Sequence, residues 1–227
     1  MDLEVASALT TRAVAHVRGQ FGADSDPDAG WADLAVLALS GDRVAEINAL
    51  RQLGQGAREG VDEDEIVRRV TARADEGDQW AAETLLYFYR ARDMNGMDAL
   101  AERKRLVAMP EVRARIATME GLYIAYADDP GSFGEVSAGI LDTARPEDFA
   151  AALRATARLD RNAYVRAVQN QLRARGYYGS RGSGRLTQPT IYAINRFCRD
   201  KGIEDACFHG PLASKAIRAI AGALGTP

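Results

Sequence analysis

Between Gly176 and Thr187 the chain runs Gly-Tyr-Tyr-Gly-Ser-Arg-Gly-Ser-Gly-Arg-Leu-Thr. A loop of this composition can cradle phosphate, act as a mobile linker or form the turn of a small domain. A phosphate loop needs Gly-x4-Gly-Lys-Ser/Thr between a strand and a helix, and both the lysine and the strand are missing. The Gly-x-Ser-x-Gly elbow is not matched either, so the glycines read as turn residues that need positive φ. Other chemistry has thin support. A glycosidase or lytic transglycosylase needs a carboxylic acid in an apolar cleft. The best-placed candidates, Glu83 and Glu120, read as exposed helix positions. His16 and His209 lie far apart, and Cys198, Cys207 and His209 make three metal ligands without a fourth. The expectation is a chain with no catalytic residue, no metal and no cofactor.

The elements that would position these residues are helical. Ala, Leu, Glu and Arg dominate, period-two alternation is absent, and Gly, Asp-Pro and Pro punctuate the chain. An all-α fold is predicted, with helices at 2–20, 28–40, 42–55, 62–76, 78–92, 96–108, 110–128, 132–143 and 146–158. The acidic run Asp62–Glu65 reads as a helix start favoured by the dipole. With 227 residues, 47% of them hydrophobic, the chain suffices for one or two globular domains. No apolar run is long enough to span a membrane, and the first residues lack the order of a signal peptide. A cytoplasmic protein and an exported product or excised fragment are both left open by that observation.

Charge is unevenly placed. The net charge of −3 divides into −11 over residues 1–157 and +8 over residues 158–227, where ten of the twelve cations are arginine. Arginine favours forked hydrogen bonds to carboxylate or phosphate. The expected division is therefore an acidic body, 1–157, and a basic C-terminal domain, 158–227.

The body repeats. Gly41-Asp42 and Gly77-Asp78 are 36 residues apart, and the same offset aligns Ala45, Ala81 and Ala117, then Leu50, Leu86 and Leu122. Each helix pair has an apolar face that only a stacked neighbour can cover, so small and large residues recur at fixed positions. This pattern, clearest over about 41–143, resembles the Sel-one-like branch of tetratricopeptide-type repeats. The resemblance implies an α-solenoid scaffold for protein partners. Tyr87, Tyr89, Tyr123 and Tyr126 recur along matching helices and are the candidate partner-contact residues, while Trp31 and Trp80 read as packing.

The basic region carries Val165, Val168-Gln169, Leu172 and Gly176-Tyr177-Tyr178, then Gly184, Leu186, Thr190, Ala193 and Phe197. This order resembles the three-helix peptidoglycan-binding domain, with Ser183, Thr187 and Cys198 departing from the usual Asp, Gly and Gln. The resemblance implies peptidoglycan as partner. Its sugar faces would meet Tyr177 and Tyr178, and its peptide carboxylates Arg181, Arg185, Arg196 and Arg199. Cys198 and Cys207 would staple the second helix to the third as a disulfide, with two buried thiols as the alternative. A disulfide agrees with a periplasmic location. The resulting expectation is a noncatalytic periplasmic adaptor. Its competitors are a nucleic-acid-binding protein using the arginines, and the targeting part of a cell-wall hydrolase.

Overall fold

The computed structural model describes residues 3–56, 61–94 and 96–226. Among them are thirteen α-helices and no strand. In chain order they are α1 (Leu3–Val17), α2 (Pro27–Leu39), α3 (Arg43–Leu53), α4 (Glu63–Asp75), α5 (Gln79–Ala91) and α6 (Met97–Val107), then α7 (Ala114–Asp128), α8 (Phe133–Thr143), α9 (Pro146–Leu159), α10 (Arg161–Ala174), α11 (Gln188–Asp200), α12 (Glu204–Cys207) and α13 (Ser214–Gly225). The predicted helices of the body all form.

Aspartate starts many of them. Asp26, Asp42, Asp62, Asp78 and Asp160 sit at N-caps, where the side chain accepts a backbone N–H from the first turn. Each satisfies a donor that the helix leaves without an intrahelical partner. Asp62 takes the N–H of Glu65 at 3.0 Å, and the acidic run follows it into the first turn of α4.

The chain forms two compact units, residues 1–113 and 114–227. In the first, Gly41 and Gly77 turn the corners between α2 and α3 and between α4 and α5 with φ of +92° and +89°. The repeated Ala45, Leu50, Ala81 and Leu86 are fully buried. Charges knit the corners together. Arg43 pairs with Asp78, while Arg73 pairs with the buried Glu46 and donates to the carbonyl of Gly41 at 2.9 Å. The third copy of the pattern, Ala117 and Leu122, falls on α7 in the other unit.

The second unit has one core from α7 to α13. Phe133, Phe149, Leu153, Tyr164, Val168, Phe197 and Ile220 all belong to it. The change between units thus lies at Arg113/Ala114, not at the 157/158 position expected from the charge balance. The reason is α9, whose Phe149, Ala152, Leu153, Ala155, Thr156 and Ala157 are buried. It packs against α7, α10 and α13 together. A helix covered from several directions belongs inside a core and not at a domain edge.

Candidate binding groove of the C-terminal unit

The glycine-rich stretch is a loop clamped onto α10 by one buried side chain. Gln169 is fully buried, and its Oε1 accepts the N–H of Gly184 at 2.9 Å. Its Nε2 donates to the carbonyl of Arg185 at 3.0 Å and to Thr190 Oγ1 at 2.8 Å. Both ends of the amide are therefore used, as a buried polar group requires. Two glycines permit the close approach. Gly184 has φ of +74°, and a Cβ there would lie 2.9 Å from the carbonyl oxygen of Asn162. A Cβ on Gly182 would run into the Asn170 side chain.

The six residues expected to meet ligand are spread over this loop and α11. Tyr177 packs its edge on Phe197, with ring centroids 5.4 Å apart, and carries the Arg196 guanidinium 4.9 Å from its centroid. Arg196 also donates to the carbonyl of Gly176 at 2.8 Å, so these two residues form a stacked pair where α10 ends. Desolvation of the phenol, together with Asp200, pushes the Tyr177 pKa up. Tyr178 is half-buried, with its hydroxyl 3.4 Å from Gln169 Nε2. Arg185 is exposed and is held through its backbone. Arg199 lines a small hollow beside the cysteines with Glu204 and Phe208. Arg181 stands apart from all of these. It lines an open groove of about 770 Å³ between α8, α10 and the loop, together with Glu135, Asp142, Arg166, Asn170 and Arg173.

Sequence inspection alone did not find that groove. Arg166, Asn170 and Arg173 follow helical spacing along one side of α10, which was a usable signal. The α8 wall was not, because it depends on tertiary contact between helices assigned to different domains.

The other candidates take structural positions. Sγ of Cys198 and Sγ of Cys207 are 2.11 Å apart, at disulfide distance. Glu83 and Glu120, expected to be exposed, are buried at 7% and 1% relative exposure. Glu83 receives Arg113 through Nη2 at 2.5 Å, Nε at 2.9 Å and the backbone N–H at 3.1 Å, with Gln79 adding a fourth donor. Burial pushes its carboxyl up, but these hydrogen bonds outweigh it and hold the pKa below the ordinary carboxylate range. A carboxyl held ionised in this way is poorly suited to donate a proton as a general acid. His16 accepts the N–H of Asp26 through Nδ1 at 3.1 Å, and His209 is exposed.

The aromatic candidates divide between the units. Tyr87 and Tyr89 lie on α5, and Tyr123 and Tyr126 on α7. All four are half-buried. Tyr87 lies against Gly54, Tyr89 meets Phe88 edge-on at 5.7 Å, and Tyr126 meets Phe133 at 5.3 Å. Trp31 is buried as expected, but Trp80 is 51% exposed. Its position at the first turn of α5 turns the indole outward, under the Arg43 guanidinium at 5.3 Å.

Among the described residues no helix is long and apolar enough to cross a membrane. No family model, curated protein or solved structure matches the chain.

Proposed function

We propose that the chain is a noncatalytic adaptor of the bacterial cell envelope. In this reading the first unit, with its Sel-one-like helix pairs, is a solenoid scaffold that holds protein partners. The second contacts peptidoglycan through the basic surface of its three-helix, peptidoglycan-binding-like part. One observation carries the proposal. In the first unit Arg43, Arg68, Arg69, Arg73, Arg92, Arg105 and Arg113 all form ion pairs with carboxylates. By contrast, none of the twelve cations between residues 158 and 227 is ion-paired to a described residue. Arginines left without internal carboxylates are available to carboxylates brought by a ligand. The cysteine pair at disulfide distance supports a periplasmic setting.

The test is co-sedimentation of the full chain with purified sacculi at low and moderate salt. The adaptor reading expects the protein in the pellet, with less after Tyr177→Ala or Arg181→Gln. Protein that stays in solution at both salt concentrations removes the wall contact. The same unpaired cations also suit a nucleic acid, for which binding to a DNA oligonucleotide would fall steeply as salt rises.

A further inference from the structure

The groove lined by Arg181 is sorted by charge. One wall is α8, which supplies Glu135 and Asp142; the other is α10 and the loop, which supply Arg166, Arg173 and Arg181. Glu135 and Asp142 are seven residues apart, as are Arg166 and Arg173. Two helical turns place each pair on one face, with backbones separated by ~10 Å. The two helices run side by side in the same direction. Gly134, at the start of α8, lies against Arg166, while Gln171 donates to Asp142 at 3.4 Å near the other end. Glu135 therefore stands level with Arg166, and Asp142 level with the Gln171–Arg173 turn. None of these five charged groups forms an ion pair with a described residue, so the carboxylates of one wall are not matched to the guanidinium groups of the other.

We propose that this groove binds a zwitterionic peptide segment, one that carries carboxylate and ammonium groups a few residues apart. Guanidinium groups on one wall would take the carboxylate in forked hydrogen bonds. Glu135 and Asp142 on the other would take the ammonium. Asn170, between the arginines of α10, lines the groove with an amide suited to a peptide backbone. A uniformly anionic strand fits less well, because the α8 carboxylates repel it along the whole groove. The proposal rests on the reading of the second unit as a binding module, and it names the class of ligand.

The test uses three fluorescein-labelled tetrapeptides, Glu-Ala-Ala-Lys, Glu-Ala-Ala-Glu and Lys-Ala-Ala-Lys, with capped ends. Each is titrated with the full chain at low salt and followed by anisotropy. The mixed peptide should bind tightest. Arg173→Gln and Arg181→Gln should each weaken it by up to about fivefold, the upper end for one exposed charge pair. Glu135→Gln with Asp142→Asn should erase the preference over the acidic peptide. All four altered residues are exposed, and circular dichroism should show an unchanged fold. Equal binding of the three peptides, no saturable binding, or tighter capture of a DNA oligonucleotide overturns the proposal. Protein that stays in solution beside sacculi while it binds the mixed peptide would remove the wall contact and leave the groove. Protein that sediments with sacculi while the groove does not distinguish the peptides would do the reverse.

Discussion

Gln169 and Gly184 are fifteen residues apart in sequence, and the side-chain oxygen of one accepts the backbone N–H of the other at 2.9 Å inside the protein. The contact turns a flexible composition into a fixed loop. It also sets where Arg181 and the groove edge stand. Gln169→Leu keeps the volume but leaves the N–H of Gly184 without its partner, while the carbonyl of Arg185 keeps the N–H of Thr187 and the hydroxyl of Thr190. The expected loss is about 1–3 kcal/mol of stability, the cost of one buried unsatisfied group. Urea unfolding of the variant beside the parent measures it, and an unchanged midpoint would show that water replaces the amide.

Gly184→Ala tests the same loop through its backbone. At φ of +74° an alanine carries a penalty of about 1–2 kcal/mol, and its Cβ would also press on the Asn162 carbonyl. Thermal melting should fall by several degrees. Gly179→Ala, where a Cβ meets nothing within 4 Å, should melt close to the parent.

Glu83 makes the first unit sensitive to acid. Its carboxyl is held below its ordinary value in the folded chain, so the native state favours the ionised form. This contribution is fully present above the unfolded carboxyl pKa of about 4.3 and is lost as pH falls through the lower folded value. Unfolding free energy measured against pH should therefore drop in acid more steeply for the parent than for Glu83→Gln. Parallel curves would mean that Arg113 does not hold the carboxyl in solution.

Cys198 and Cys207 close a loop with a sequence separation of 9. By chain entropy a bridge over so short a loop stabilises by about 2.5 kcal/mol. Reduction, or Cys198→Ser with Cys207→Ser, should lower the melting temperature of the second unit without abolishing its helical circular dichroism. If the thiols titrate freely in the oxidised protein, the bridge is absent.

Local signals were legible in the residues. Gly-Asp at a 36-residue spacing announced two corners, and the structure turns there on positive φ with Asp42 and Asp78 as caps. The end of α10 was marked by Gly176, which has positive φ. What could not be read depends on which faces meet. Glu83 looks solvent-facing along α5, and only the chain returning through Arg113 covers it. Trp80 looks like packing by composition, yet the first turn of α5 leaves it outside. The groove needs α8 beside α10, two helices separated by all of α9. Charge balance placed a boundary inside that arrangement because charge reports on the surface, whereas a unit is defined by what it buries.

The position of α9 also limits what can be cut away or moved. Gly225, at the end of α13, lies against Phe149 and Ala150 of α9, and Leu224, Ala221 and Ile220 are buried on the same helix. A recombinant piece beginning at residue 158 would carry α10, α11 and α13 with their apolar side uncovered, and would be prone to stick to itself. The portable part begins near Ala114. Any transplant of this module into another protein must carry α7, α8 and α9 with it, and with α8 goes the acidic wall of the groove.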